Sequence, residues 1–188
     1  ISLNLTYGPW KIDYGSISDG NETSIAIDSN DRLHISHQWN GNLTYGLFDG
    51  GPYFTLFNPF NNGLNSYNFL HDIDGSNVGT DNSIAVDSQN KVHMAYCDVA
   101  NQMLKHASAT HHPNGSINQV TISNVGPMLC GSGTSIAIDS SDNIYISYYH
   151  DSNSSLMQSV KQNSIWSHSV ISTSSNNDVI NSTLIINE

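Results

Sequence analysis

Carboxylates near the ends of predicted strands are the residues with the most obvious chemistry in this sequence. They are Asp72, Asp74, Asp98 and Asp151. Two acids that face one cavity can hydrolyse a glycosidic bond, one as general acid and the other as base or nucleophile. The chain has 16 acidic residues, however, and acids in loops are usually only solvated. We therefore expect no catalytic residue, and a glycoside hydrolase is the alternative function.

The histidines raise the question of a metal site. His34 and His93 occupy corresponding positions in a repeat, and Tyr145 fills that position in the third copy. This exchange keeps a flat ring with a polar tip, which indicates packing between sheets. His111 and His112 fall in a predicted exposed loop, where adjacent side chains point in different directions and a metal would need ligands from elsewhere. We expect no metal and no cofactor.

A seven-residue motif occurs three times in the sequence and indicates which elements position these residues. The copies are TSIAIDS at 23–29, NSIAVDS at 82–88 and TSIAIDS at 134–140. Ser24 and Ser83 are 59 residues apart, and Ser83 and Ser135 are 52 apart. A period near fifty residues is typical of a stacked array of similar supersecondary units.

Each copy predicts a hairpin of two strands. Polar residues separate two alternating, β-branched runs, and Asp28, Asp87 and Asp139 open the turns. We expect these carboxylates to cap turn amides rather than to bind metal or catalyse. In the first strand, the isoleucines share one face while serine and alanine share the other. The small face lets a neighbouring sheet approach, and the aliphatic face fills the gap.

Two more strands complete each repeat. A third is predicted around Leu43, Leu104 and Leu156, and a fourth is seen at 117–122 and 165–170. Four short antiparallel strands per repeat are typical of a β-propeller blade.

The two ends of the chain are out of phase with the blade. Residues 4–8 are identical to residues 42–46, and 10–14 supply a fourth strand, whereas 182–186 resemble a first strand. We therefore predict an all-β fold, a single β-propeller region over 1–188 with three whole four-stranded blades and partial blades at both ends. The predicted boundaries are a partial blade 1–20, blades 21–75, 76–127 and 128–175, and a partial blade 176–188. Because open edges invite pairing, the chain is either part of a longer propeller or a protomer completed by another copy.

The repeat resembles a known pattern, SIAVDS, a short turn, HISYYD, LKYA and a later Trp. It occurs in secreted and surface β-propeller proteins of bacteria and archaea that are distantly similar to the sialidase and BNR-repeat superfamily. Here residues 83–98 with 104–107, and 135–149 with Trp166, carry it. The first copy has Trp39 where the pattern has Asp, and the third has His150. The resemblance implies the fold and says little about function.

The resemblance also raises a sialidase, which the composition excludes. Sialidases hold the substrate carboxylate with three arginines, whose planar forks of donors fit that group. Arg32 is the only arginine in this sequence. A complete sialidase site is therefore absent from this stretch.

Composition indicates an extracellular or cell-surface protein. The net charge is −11 and only 11% of residues are charged, which excludes nucleic acid as a partner because phosphate contacts need clustered Lys and Arg. The sequence contains no run of 18 apolar residues, so no membrane-spanning helix is predicted. The sequence given has neither an initiator Met nor a signal peptide, which fits a mature secreted product.

Cysteines and sequons support the same expectation. Cys97 ends a predicted second strand and Cys130 precedes the next first strand. Both ends lie on one face of adjacent blades, so a disulfide is expected, with two free thiols as the alternative. It would stabilise the fold by about 3 to 4 kcal/mol in the chain-entropy model. Candidate glycosylation sites, predicted in part in loops on this face, are Asn4, Asn21, Asn42, Asn114, Asn153 and Asn181.

Two sets of residues are candidates for binding. Trp39, Asp98 and His150 vary between copies and are predicted in loops on one face, where an aromatic beside polar acceptors suits sugar stacking; ordinary loop variation is the alternative. Between residues 50 and 65, an insertion in the first repeat carries Tyr53, Phe54, Phe57 and Phe60. These form either a contact surface or a cover for the blade edge. We therefore predict a non-enzymatic module for adhesion, surface assembly or binding of a glycan or surface protein.

Overall fold

The fold is described by a computed structural model. It describes residues 22–39, 41–48, 70–75, 77–112, 116–126, 132–150, 152, 154–173 and 182–186. The predicted partial blade at 1–20 and the aromatic insertion lie outside these residues.

The described residues form twelve β-strands. Their bounds are β1 Thr23–Ile27, β2 Leu33–Trp39, β3 Asn42–Phe48, β4 Leu70–Asp74, β5 Val78–Val86, β6 Val92–Asp98, β7 Met103–His111, β8 Ile117–Asn124, β9 Ser135–Ile138, β10 Ile144–His150, β11 Ser155–Gln162 and β12 Ile165–Thr173.

The strands make three four-stranded antiparallel sheets, in the orders β1-β2-β3-β4, β5-β6-β7-β8 and β9-β10-β11-β12. Neighbours in the chain are neighbours in the sheet, as in a meander. We call them sheets 1, 2 and 3. The prediction of an all-β fold with four antiparallel strands per repeat is confirmed. The three repeated phrases lie in β1, β5 and β9, which belong to separate sheets.

The turns have a local cause. Asp31, Asn90 and Asp142 each have φ near +60°, a conformation that Asn and Asp tolerate better than other residues with a side chain. Asn163 and Ser164 both have positive φ and join β11 to β12. Two such residues form the tight turn that matches strand twist in a hairpin.

Two apolar cores lie between the sheets. One packs β3 residues such as Leu43 and Tyr45 against Ile84 and Met94 of sheet 2. The other packs Ala95, Cys97 and Leu104 of sheet 2 against residues of sheet 3 such as Ile136 and Ile146. All seven residues of β6 are buried, because alternate side chains of this strand enter opposite cores.

The small face of each first strand lets a neighbouring sheet approach, as predicted, and this neighbour is the next repeat. Ser24 Oγ accepts a hydrogen bond from Ile84 N, 3.2 Å away, and Ser83 Oγ accepts one from Ile136 N at 3.2 Å. Ser135 Oγ accepts one from Leu184 N at 3.0 Å, although 182–186 has no regular secondary structure. One serine per repeat therefore attaches the following repeat.

The prediction that the aliphatic face is covered holds for two sheets. Ile84 is 5% exposed and Ile136 is 6% exposed, whereas Ile25 and Ile27 are 59% and 62% exposed. In the described structure, β1 presents its aliphatic face to solvent.

Candidate functional site

The three turn carboxylates have the capping role that the sequence predicts. One oxygen of Asp28 accepts hydrogen bonds from the amides of Asn30 and Arg32, both at 2.9 Å. Asp87 and Asp139 accept the corresponding amide bonds, at 2.8 to 3.0 Å, in their own turns. Each carboxylate thus stabilises the turn that it opens.

The second oxygen of each carboxylate holds a ring on the following strand. His34 Nε2 lies 3.2 Å from Asp28 and His93 Nε2 lies 3.0 Å from Asp87, while Tyr145 donates its hydroxyl to Asp139 at 3.0 Å. The His-to-Tyr exchange therefore keeps a polar tip for the turn carboxylate. Burial would raise the pKa of Asp28, but hydrogen bonds from Arg32, Asn30 and His34 hold it below its ordinary value.

Two buried polar chains continue from these rings. In the first, His34 Nδ1 lies 2.7 Å from the Tyr45 hydroxyl, which lies 2.8 Å from His111 Nε2. In the second, His93 Nδ1 lies 3.0 Å from His106 Nε2, and the His106 ring meets Trp166 edge-on. The first chain joins sheets 1 and 2, and the second joins sheets 2 and 3.

These chains correct the prediction for His111. It is the last residue of β7 and half-buried, not a loop residue, whereas His112 is exposed. Asp28, His34 and Tyr45 place a carboxylate, an imidazole and a hydroxyl each within contact distance of the next, and such a series could transfer a proton. His34 and Tyr45 are both 0% exposed, however, so the arrangement links sheets rather than meeting a substrate.

One lysine holds two of the candidate catalytic acids. Lys105 Nζ lies 2.9 Å from Asp74 Oδ2 and 2.8 Å from Asp98 Oδ2. Tyr96 also donates its hydroxyl to Asp74, at 2.9 Å. Burial would raise the pKa of Asp98, yet hydrogen bonds from Lys105 and Asn101 lower it overall. Asp72 lies in β4 and Asp151 lies outside the described residues.

The predicted ligand trio is partly corrected. Trp39, Asp98 and His150 are the last residues of β2, β6 and β10, so they occupy corresponding strand positions rather than loops. Asp98 is 1% exposed and His150 is 5% exposed. Neither of these two side chains offers a surface contact.

The two candidate binding sets, the aromatics of the insertion and Trp39, belong to opposite ends of sheet 1. The connection 49–69 joins β3 to β4 at the end that carries the Asp28 turn, whereas Trp39 ends β2 at the other end. The four aromatics of this connection, Tyr53, Phe54, Phe57 and Phe60, lie outside the described residues.

Cys97 is buried in β6, and no free cysteine occurs in the described part of the chain. Cys130 lies outside it, so the pairing stays a prediction. Asn42 is the half-buried first residue of β3 rather than a loop residue. The other candidate glycosylation sites, Asn4, Asn21, Asn114, Asn153 and Asn181, lie outside the described residues.

A further set of inter-repeat contacts was missed by sequence reasoning. The Glu22 carboxylate accepts a hydrogen bond from Asp81 N, and Asp81 Oδ1 accepts one from Gly133 N at 2.7 Å. All three residues have positive φ, and each lies two positions before a repeated serine, a signal that could have found them. Partial burial and the charge of Asp81 raise the pKa of Glu22 to about 7.

The described residues contain no group of three or more His, Cys, Asp or Glu that could hold a metal ion. In the same part of the chain, no helix is long and apolar enough to cross a membrane. No protein-family model matches the sequence, and no curated protein matches it.

Proposed function

We propose that this chain is a non-enzymatic, extracellular β-propeller module in which each four-stranded sheet is one blade. It binds a glycan or a surface protein in adhesion or surface assembly. The observation that carries the proposal is the serine-to-amide contact that joins each repeat to the next at Ser24, Ser83 and Ser135. Identical contacts between successive units support a stacked scaffold, on which function belongs to the loops that differ.

The roles of the acids support a scaffold without catalysis. Asp28, Asp87 and Asp139 cap their turns, while Asp74 and Asp98 share Lys105. A catalytic carboxylate must reach the substrate or a water molecule beside it. A carboxylate as buried as that of Asp98 is poorly placed for that task.

The connections between third and fourth strands differ most between the repeats. Residues 49–69 form this connection in sheet 1, 112–116 in sheet 2, and only Asn163 and Ser164 in sheet 3. We assign partner contact to the aromatics of the first connection, since large aromatics dominate interface energetics. We assign sugar stacking to Trp39, at the opposite end of the sheet.

Secretion gives a separate, simple test. An extracellular chain should contain the Cys97–Cys130 disulfide, because oxidising compartments preserve such bonds. Intact mass after alkylation without reductant should show no alkylated thiol. Two alkylated cysteines in protein from its native source would contradict this part of the proposal.

The function is tested by a glycan array and a hydrolysis screen on the same purified protein. We expect binding without hydrolysis. Trp39→Ala should weaken glycan binding by about 1 to 3 kcal/mol, the range for loss of an aromatic stack in nucleic-acid complexes. Replacing Phe57 and Phe60 by Ala should instead reduce self-association or partner contact.

The matched control is Val120→Ala, which changes an exposed apolar residue of β8. It should leave binding and assembly unchanged. Turnover of any glycoside would contradict the non-enzymatic proposal. Unchanged binding and assembly in both aromatic variants, with folding intact, would reduce the chain to a structural spacer.

A further inference from the structure

The aliphatic face of β1 in sheet 1 is exposed to solvent, whereas the corresponding faces of sheets 2 and 3 are buried. Ile25 and Ile27 are 59% and 62% exposed, whereas Ile84 at the equivalent position of sheet 2 is 5% exposed. Leaving two isoleucines in water forgoes the burial that stabilises the other sheets. In sheet 2, the corresponding face is covered by residues of sheet 1.

The residues that cover Ile84 are known from the structure. Leu43 and Tyr45 on β3 share its core and are both 0% exposed. They lie in the segment NLTYG at 42–46, and the same five residues occur at 4–8, shortly before β1. Leu5 and Tyr7 therefore have the chemistry and spacing of the pair that closes sheet 2.

We propose that residues 4–14 dock on sheet 1 as the third and fourth strands of a preceding sheet and cover Ile25 and Ile27 of their own chain. The connection is long enough: the eight residues 15–22 would lead from this segment to β1, whereas the three residues 75–77 suffice to join β4 to β5. Trp10 to Tyr14 supply the second strand of the docked pair.

The same chain is a better occupant than a second copy. A tethered segment meets the face at an effective concentration in the millimolar range, about that of short flexible linkers. A second copy would have to present an equivalent pair of strands at its own free edge. The repeated segment NLTYG places the complementary residues next to the face that needs them.

Carbene footprinting of the full chain tests the docking directly. Ile25 and Ile27 should be labelled as weakly as Ile84, and much less than Ile165, which is 72% exposed. In the variant Leu5→Ser with Tyr7→Ser, labelling of Ile25 and Ile27 should rise several-fold while Ile84 stays protected. Ile1→Ser, which changes an apolar residue just outside the repeated segment, is the matched control and should have no effect.

The outcomes separate the occupants. Labelling of Ile25 at the level of Ile165 in the unaltered chain overturns the proposal. Protection that disappears on dilution, together with a dimer in sedimentation, assigns the face to a second copy and also overturns it. Protection that survives both dilution and the double substitution does the same. If Ile84 also becomes labelled in the double variant, that variant has disturbed the fold, and the single variant Leu5→Ala is tested in its place. Labelling of Ile25 and Ile27 should then rise several-fold in Leu5→Ala while Ile84 stays protected.

Discussion

Each turn carboxylate holds both its own turn and the ring on the next strand. Asp28 combines two amide bonds with contacts to Arg32 and His34, and its side chain is fully buried. The capping of turn amides could be predicted because donors and acceptor lie within four residues of each other. The Lys105 pairing could not, since Asp74 is 31 residues away and meets it only across packed sheets.

Removal of one turn carboxylate should be costly. Asp28→Ala leaves two turn amides and the buried His34 without their acceptor, and should lower the free energy of unfolding by about 2 to 3 kcal/mol. Chemical denaturation measures it. Asn30→Ala is the control, because this exposed residue contributes only its backbone amide to Asp28; its effect should stay within about 0.5 kcal/mol. Equal effects of both changes would contradict the capping role.

The His93–His106 pair should make the fold sensitive to mild acid. Burial lowers the pKa of both rings, that of His106 well below the ordinary 6.5. Below pH 6.5 the unfolded chain takes up protons that the folded chain refuses. Stability is therefore fully present above pH 6.5 and falls by about 1.4 kcal/mol per pH unit and histidine until the folded pKa is reached.

The variant His106→Tyr should remove the His106 share of this loss, since Tyr45 occupies the equivalent position in sheet 1. The groups around the pair are Asp87, Lys91, Lys161 and Trp166. Glu22, whose raised pKa of about 7 makes its contribution disappear as pH rises, is common to both proteins and cancels. Unfolding from pH 7 to 5 gives the slopes. His112→Tyr, at an exposed position, is the control; an unchanged slope in His106→Tyr would refute the assignment.

At the scale of the element, the alternation of apolar and polar residues and the turn residues predict most strands. The first and last residues of each strand depend on how sharply the connections turn. Asn42 was expected in a loop, yet Gly41 adopts φ +79° and turns the chain so sharply that β3 begins at the next residue. His111 was expected in a loop because of its polar neighbours. Its bond to Tyr45 of the other sheet, which no local pattern contains, keeps it in β7.

Gly79 permits the irregular start of β5. It has φ +88°, and an added Cβ would lie 2.8 Å from Leu43 Cα, at a shift in the β5–β6 register. Gly79→Ala should therefore lower the free energy of unfolding by about 2 to 4 kcal/mol, through strain and the clash with sheet 1.

Gly75→Ala is the matched control for thermal or chemical unfolding. Its Cβ would meet only the Asn42 side chain, at 3.3 Å, and the glycine is exposed. We expect a change of about 0.5 kcal/mol or less. A Gly79→Ala protein as stable as Gly75→Ala would show that sheets 1 and 2 approach each other less closely than described.

At the scale of the whole molecule, repetition is the source of order. Three sheets of one topology pack in chain order, with β5 against β1 and β9 against β5. The repeated phrase predicted the sheets and their equivalence. It could not predict how the three sheets are oriented relative to one another, because this depends on long-range geometry and on the connections that differ between copies.

A crystal structure of the chain tests the central claim, that these sheets are successive blades of one propeller, most directly. It should show β1, β5 and β9 side by side around a common axis, with a rotation of the same sense and similar size from sheet 1 to 2 and from sheet 2 to 3. The serines at 24, 83 and 135 should bond the following repeat in each case. Strands β1, β5 and β9 joined by hydrogen bonds in one continuous sheet, or rotations of opposite sense, would contradict the claim.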